Sequence, residues 1–201
     1  MLILAFDTCM AAVAVAVWRD GATLASAREV MEQGQAEALM PLVEKVMAEA
    51  HVAYAALDRI AVTVGPGSFT GVRVGLAAAR GLGLAAGKPV IGVTTTEVLA
   101  AQANRQGPVL VAIDTKRGDF YAQHFDGTRA LGEIAVISAA AVASAPNTLV
   151  VQGGENANLL PDPAVLARLA SERAPVAGGP LPVYARAPDA VVPQHGGRLR
   201  P

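Results

Sequence analysis

One pattern occurs twice in the chain and constrains its fold more than any other feature. Residues 2–21 and 109–127 each contain a buried-strand pattern that ends in Asp-Thr, then a tight turn, then a strand of partly alternating polarity that closes at Asp-Gly. Such a strand–turn–strand unit is typical of a β-hairpin. The repeat carries the aspartates Asp7 and Asp114 at equivalent places. It therefore predicts two related halves, with a boundary in the polar Gly-Pro linker at 104–108.

Strand and helix patterns follow each other along both halves. The first half continues with a third strand, a helix at 35–50, a strand at 59–64, a turn at 65–71, a helix at 72–87, a strand at 89–93 and a short helix at 94–103. The second half adds a strand near 132–137, a short helix, a strand at 148–154, a helix at 162–173 and a final stretch of 25 residues rich in Pro and Gly. The helices are assigned from apolar spacing at i, i+3, i+4 and i+7. We therefore predict an α/β protein with an N-terminal lobe at 1–104 and a smaller C-terminal lobe at 105–201.

Composition limits the classes of function that fit the chain. Hydrophobic residues make up 53% and aromatic residues only 4%, so the core is expected to consist mainly of Ala, Val and Leu. The formal net charge of −1 does not suit a protein that grips a polyanion such as tRNA by itself. The single cysteine excludes an internal disulfide, and we expect neither a signal peptide nor a membrane span. The cytoplasm is the expected location.

The two longest predicted helices each allow two interpretations. The apolar residues of 35–50 extend beyond one face, with Pro41 either in the first turn or at a kink. This helix either packs on its sheet alone or also meets a partner. In 72–87, Gly75, Ala79 and Gly83 recur every fourth residue. That row of small residues permits close approach either of another helix or of the chain's own sheet.

The motif GPGSFTGVR, between a strand and a helix, is the first candidate site. A glycine-rich turn at a helix start can hold an anion. The motif nevertheless fits neither the Walker A pattern, since Val72 stands where a lysine is needed, nor the G-x-G-x-x-G fingerprint. The alternative is a tight turn in which Ser68 or Thr70 caps the helix.

The duplicated Asp-Thr pairs are the second candidate site. They either face a nucleotide or metal across a cleft between the lobes, or are turn residues bonded to their own backbone. A remnant nucleotide site would comprise Asp7, Thr8, Gly65, Gly67, Ser68 and Asp114.

No constellation for catalysis or metal binding stands out in the sequence. None of the three histidines, His51, His124 and His195, has another histidine or an acidic residue near it at the sequence spacing typical of metal ligands on a helix. Cys9 is expected to be a small buried hydrophobic residue. The sequence shows no Ser-His-Asp arrangement, and we predict neither catalytic residues nor a metal site.

Several of these segments together resemble one known family. GPGSFTGVRVG (65–75), LAFDT (4–8), VAIDTKRGDFYA (111–122), ALMPLVEKV (38–46), PVYAR (182–186) and APDAVVPQHGG (187–197) are similar to the TsaB family, once grouped with glycoprotease-like (peptidase M22-like) proteins. The resemblance runs along nearly the whole chain. It implies two ribonuclease H-like lobes of the actin, hexokinase and Hsp70 superfamily, with the second lobe reduced.

The resemblance also implies a role. TsaB pairs with the catalytic subunit TsaD, which transfers threonylcarbamoyl to adenosine at position 37 of tRNA. It implies a non-catalytic scaffold or dimerisation subunit with no cofactor of its own, ATP entering through TsaE, the metal on TsaD, and tRNA met only indirectly. TsaD holds its metal with an H-x-x-x-H pair, where this chain has Gln35 and Leu39. That departure argues against a metallopeptidase, while an ATP-dependent phosphotransferase or ATPase is the alternative function.

In this family the first two helices of the chain meet their counterparts in TsaD, or in a second TsaB, as a helical bundle. The contact residues that we expect on these helices are Ala38, Leu42, Lys45, Met47, Arg73, Leu76, Ala77 and Arg80. If the helix faces are as apolar as the sequence suggests, the chain alone is expected to form a homodimer.

Overall fold

The computed structural model describes residues 1–151 and 159–186, and its strands form two sheets. The first sheet has the order β3-β2-β1-β4-β5. Its strands are β1 (Leu2–Asp7), β2 (Ala12–Arg19), β3 (Ala22–Val30), β4 (Arg59–Thr63) and β5 (Val90–Val93). The hairpin strands β1, β2 and β3 are antiparallel, while β4 runs parallel to β1 and β5 parallel to β4. The strands predicted for the first half are confirmed.

The second sheet repeats this arrangement in shorter form. It has the order β10-β6-β7-β8, and β9 also pairs with β7. Its strands are β6 (Pro108–Asp114), β7 (Asp119–Asp126), β8 (Arg129–Ala130), β9 (Ala135–Ser138) and β10 (Thr148–Val151). As β1 does with β2 and β4, β6 pairs antiparallel with β7 and parallel with β10. The end of the strand predicted at 148–154 lies outside the described residues. So do the tail motif at 187–197, which contains His195, and the two arginines that follow it, Arg198 and Arg200.

Five helices lie against the sheets in the described part of the chain. They are α1 (Gln35–Glu49), α2 (Phe69–Ala86), α3 (Thr95–Ala103), α4 (Ala139–Ser144) and α5 (Pro163–Ser171), and a 3-10 turn occupies Tyr54–Ala56. Helix α2 begins earlier than the sequence predicted because Ser68 is its N-cap, and it ends, as predicted, at Gly87 in the left-handed conformation with φ 65°. Pro41 lies inside α1, beyond its first turn. None of the helices described over 1–151 and 159–186 is long and apolar enough to cross a membrane.

The central strands of the first sheet are buried on both faces, which accounts for the continuous apolar run of β1, whereas the edge strand β3 is mostly exposed. Leu2, Leu4 and Phe6 point into a core shared with α1 and α2. The alternate residues Ile3 and Ala5 point into a second core on the opposite face, shared with α5. Helices on both faces are therefore needed to bury these central strands.

Two helices pack on the sheet formed by the other half of the sequence. Helix α5 was predicted in the C-terminal lobe, yet its Leu166 and Ala170 pack in the core on the outer face of the first sheet. Conversely, Leu99 of α3 packs with Val109 and Val111 of β6 in the second sheet. The division predicted at residue 104 thus separates the strands of the two lobes but not their helices, because each sheet has an apolar face that a helix from the other half covers.

Candidate partner face and interlobe cleft

The glycine-rich turn before α2 packs against the turn that follows β1. The Ser68 side chain accepts a hydrogen bond from the Gly71 amide at 3.3 Å, and the Ser68 amide donates to the Cys9 carbonyl at 2.8 Å. A Cβ atom on Gly67 would overlap the Cys9 carbonyl oxygen, and one on Gly71 would overlap the Thr8 carbonyl oxygen. Of the two interpretations of this motif, the structure favours the capped turn, since these glycines are needed for backbone-to-backbone packing.

Asp7 is enclosed beneath that contact. Asp7 is only 1% exposed. Its Oδ1 atom accepts hydrogen bonds from the Thr63 hydroxyl at 2.5 Å and from the Cys9 amide at 3.1 Å. Within the part of the chain that the structure describes, Oδ2 has no hydrogen-bond partner. Burial raises the pKa of the Asp7 carboxyl from 3.8 to about 6, against the opposing effect of the Thr63 and Cys9 hydrogen bonds.

The neighbours of Asp7 are enclosed as well. Thr8 is buried, and its hydroxyl donates to the Gly71 carbonyl at 2.6 Å. Cys9 is buried as predicted, and desolvation followed by the nearby Asp7 charge raises the pKa of its thiol to about 12. A thiol in this state is almost entirely protonated and is a poor nucleophile.

Of the two interpretations of the duplicated Asp-Thr pairs, the structure favours turn residues bonded to their own backbone, since Asp7 accepts from the Cys9 amide and Asp114 from the Lys116 amide. Asp114 is half-buried, lines the cavity between the lobes and accepts a hydrogen bond from the Lys116 amide at 2.7 Å. Asp7 is absent from the lining of that cavity, because its side chain is buried beside Thr63 and Cys9. Of the other residues proposed for a nucleotide site, Gly67 and Ser68 line the cavity, whereas Thr8 and Gly65 are buried.

The cavity between the lobes has a volume of about 610 Å³. Its walls come from the turns after β1 and β4, from the β6–β7 turn and from residues 183–186. Lys116 in the β6–β7 turn forms an exposed ion pair with Glu32 at 2.9 Å, and Arg186 pairs with Asp119. The first pair links the segment between β3 and α1 to the β6–β7 turn, and the second links residue 186 to β7.

The described residues contain no group of three or more His, Cys, Asp or Glu side chains that could hold a metal ion. His51 and His124 are exposed, on different lobes.

Three of the predicted partner contacts lie in the core and cannot serve as a surface. Leu42 is 2% exposed, and Met47 and Leu76 are each 3% exposed, all packed against the first sheet. The apolar spacing of each helix located its inner face correctly, but we assigned part of that face to a partner. A charge at Leu42 or Leu76 would disrupt the core and would not test pairing.

The other predicted contacts lie at the surface. Lys45, Arg73, Ala77 and Arg80 are exposed, and Ala38 is half-buried. The predicted row of small residues on α2 is buried: a Cβ on Gly75 would lie 2.6 Å from the Thr8 hydroxyl oxygen, and Gly83 meets Val90. That row therefore contacts the chain's own sheet, which was the second of the two interpretations.

A different row of residues on α2 faces outward, and it was not predicted from the sequence. Phe69 is 51% exposed and Leu84 is 87% exposed, and Ala77 and Gly81 lie exposed between them. We call this row, with Arg73 and Arg80, the α2 face. Its spacing of three and four residues was present in the sequence, but the buried row beside it has the same period.

A segment near the end of the described chain runs along the α2 face. We call residues 180–186 the strap. The Val183 amide donates to the Val64 carbonyl at 2.7 Å, so the strap is fixed beside the end of β4. Arg80 donates to the Pro180 carbonyl at 2.7 Å and Arg73 donates to the Tyr184 hydroxyl at 3.1 Å. The strap thus covers one flank of α2 and reaches the second sheet at its other end.

The two sheets, each opening with a strand, an aspartate and a hairpin, define a two-lobed protein of the ribonuclease H-like class to which actin, hexokinase and Hsp70 belong. The expected fold class is confirmed. Residues 29–173 match the family model described as "TsaD: tRNA N6-adenosine threonylcarbamoyltransferase". A solved structure described as "YeaZ from Pseudomonas aeruginosa" is 31% identical, has a TM-score of 0.75, and the match covers 91% of this chain and 99% of that one.

Sequence relatives identify the family. The Escherichia coli "tRNA threonylcarbamoyladenosine biosynthesis protein TsaB" is 38% identical over 124 residues, which is 60% of this chain and 53% of that protein. An uncharacterized protein of Mycobacterium tuberculosis H37Rv is 37% identical over 94% of this chain and 93% of its own length. The match spans about half the length of the E. coli relative. The chain belongs to the TsaB family.

Proposed function

We propose that the chain is a non-catalytic scaffold subunit in the synthesis of threonylcarbamoyladenosine at position 37 of tRNA, and that it pairs with TsaD. Its E. coli relative carries the name of that biosynthetic process. In this proposal the metal lies on TsaD, ATP enters through TsaE, and tRNA is met through the assembled complex in the cytoplasm. The chain alone forms a homodimer through the same surface.

The observation that carries the proposal is the α2 face. It presents Phe69 and Leu84 to solvent on a helix with small exposed residues between them, which is costly for a monomer and suits close packing of a second helix. The exposed side of α1, by contrast, carries Glu37, Glu44 and Lys45. The chain therefore offers exposed apolar and small residues on α2, with two arginines among them, beside the charged side of α1, a combination typical of a protein interface with a polar rim.

The enclosed Asp7 supports a non-catalytic role. A phosphotransferase of this fold class would need the carboxylate at the end of β1 in reach of a nucleotide or its metal, but this carboxyl is buried and hydrogen-bonded to Thr63 and Cys9. The same packing buries the Cys9 thiol in its protonated form.

Pairing is tested by light-scattering chromatography of the chain alone and mixed with TsaD from the same organism. The variant Ala77→Arg places a long charged side chain in the middle of the α2 face. We expect it to weaken formation of a one-to-one complex at least tenfold, because burying an unpaired guanidinium in a helix–helix contact is costly. The matched control is Ala140→Arg on α4 of the second lobe, which is also an exposed alanine on a helix.

The control variant should pair as the parent chain does. Equal pairing by Ala77→Arg and Ala140→Arg would show that the α2 face is not the interface. Failure of the parent chain to pair with TsaD, even with ATP, TsaE and tRNA added, would contradict the proposed role itself.

A further inference from the structure

An aromatic–arginine cluster joins the strap to the start of α2. The guanidinium carbon of Arg73 lies 3.6 Å from the centre of the Phe69 ring and 5.9 Å from the centre of the Tyr184 ring. The two rings are tilted, with their centres 5.4 Å apart, and Arg73 Nε also donates to the Tyr184 hydroxyl. Phe69 stacks on the guanidinium and Tyr184 adds a hydrogen bond to its Nε, so the two rings together restrict the rotamers that Arg73 can adopt.

The cluster remains open to solvent although its members contact each other. Phe69 is 51% exposed and Tyr184 is 44% exposed. Tyrosine and arginine are enriched among the residues that dominate binding energy at interfaces, and an aromatic ring contributes much contact area with few rotatable bonds. An exposed, already ordered Phe–Arg–Tyr cluster is consequently better suited to docking than a lone arginine on a helix.

We propose that the strap is part of the partner-binding surface and that Tyr184 is a positioning residue that sets Arg73 for contact with a carboxylate of the partner. This inference rests on the proposed pairing with TsaD and identifies which part of the chain, besides α2 itself, recognises that partner. The occupant is a helix of the partner with an apolar face and acidic side chains.

Charge supports this choice of occupant. Helix α2 contains Arg73 and Arg80 and no acidic residue, and the strap adds none between 180 and 186. The two arginines are two helical turns apart, about 10 Å along the axis. Arg80 is held by the Pro180 carbonyl, so the strap orders both cations of the face. A partner helix with two carboxylates at the same separation would complement them.

The position of the strap is fixed by its backbone, so that its side chains can be changed separately. The Val183 amide donates a hydrogen bond to the Val64 carbonyl. Gly65, with φ 97°, leaves room for the Val183 carbonyl oxygen, since a Cβ atom on residue 65 would lie only 2.7 Å from it. Neither contact uses the Tyr184 ring. Replacing that ring should therefore leave the path of the strap unchanged.

The test measures the dissociation constant of the full chain with TsaD at low and high salt. Tyr184→Ala should weaken pairing about tenfold at low salt and less at high salt, because the ordered guanidinium–carboxylate contact that it disturbs is screened by ions. Tyr184→Phe keeps the ring against Arg73 and should stay within about threefold of the parent. Val176→Ala, an exposed apolar truncation on the segment before the strap, is the matched control and should change little.

A second variant shows whether a loss of pairing by Tyr184→Ala comes from misfolding. Arg73→Gln removes the charge from an exposed helix position, and the double variant with Tyr184→Ala should lose little more than either single variant if the two residues act as a unit. Unchanged pairing by both Tyr184→Ala and Arg73→Gln, with Ala77→Arg still defective, would overturn the inference and leave the proposed function standing. Normal pairing by Ala77→Arg as well would count against the proposed α2 interface instead.

The same variants distinguish other occupants. If Tyr184→Ala changed only the self-association of the chain, the surface would bind a second copy, and the inference would be wrong. The inference would also be wrong if the variant changed only the retention of tRNA by the assembled complex.

Discussion

The Gly71→Ala variant is expected to lose at least about 3 kcal/mol of its free energy of unfolding, because the added methyl group would overlap the Thr8 carbonyl oxygen. Neither side can yield easily. The Thr8 backbone belongs to the turn after a fully buried strand, and the Gly71 backbone lies in the first turn of α2. Urea-induced unfolding followed by circular dichroism measures the loss.

Gly81→Ala provides the matched control on the same helix. No atom lies within 4 Å of a Cβ at this position, and the residue is exposed. Alanine there should raise the free energy of unfolding by about 0.5–1 kcal/mol, since it reduces the backbone entropy of the unfolded chain. Similar effects of the two substitutions would contradict the close packing of the turns at 7–9 and 65–71.

The Asp7→Asn variant is expected to become more stable relative to the parent chain as the pH rises. In the folded state burial raises the pKa of Asp7 from 3.8 to about 6, so the neutral carboxyl is favoured there. The stability that this preference provides is present below 3.8 and is lost as the pH rises through 6. A rise of that size corresponds to roughly 3 kcal/mol between the two limits.

The relevant measurement is the pH dependence of the difference between variant and parent. Asparagine stays neutral, so the difference in free energy of unfolding should move in favour of the variant by roughly 3 kcal/mol between about pH 3 and about pH 8. Any fixed cost of placing an amide beside Thr63 appears equally at both ends. Asp114→Asn is the control, because solvent in the cavity reaches the carboxyl of that residue. A pH-independent difference for Asp7→Asn would show that its carboxyl is hydrated.

The sequence predicted the strands well because their signals are local. The Asp-Thr repeat located β1, β2, β6 and β7, and apolar runs located β4 and β10. The N-cap role of Ser68 was one of two interpretations, and it could not be chosen without the contact between the turn at 65–71 and the backbone of residues 8–9. That contact joins residues about sixty positions apart, which no local pattern reports.

The partner face was predicted less well for a different physical reason. Helix α2 is apolar or small on most of its circumference, so periodicity alone does not distinguish the side that meets its own sheet from the side that meets solvent. Leu76 was therefore assigned to the surface, and Leu84 was overlooked although it is 87% exposed. Nor could the sequence show that Tyr184 lies on Arg73, since that contact depends on the path of the strap.

Because α3 packs on the second sheet and α5 on the first, a cut at residue 104 would expose part of the core of each sheet. A fragment ending at residue 104 would retain all strands of the first sheet but would leave Ile3, Trp18 and Ile91 without the cover of α5. The complementary fragment would lack Leu99 over β6. Each piece alone should aggregate, whereas the two produced together should reassemble by fragment complementation. The two similar halves are thus not separable into two folding units, and the chain should unfold in a single cooperative transition.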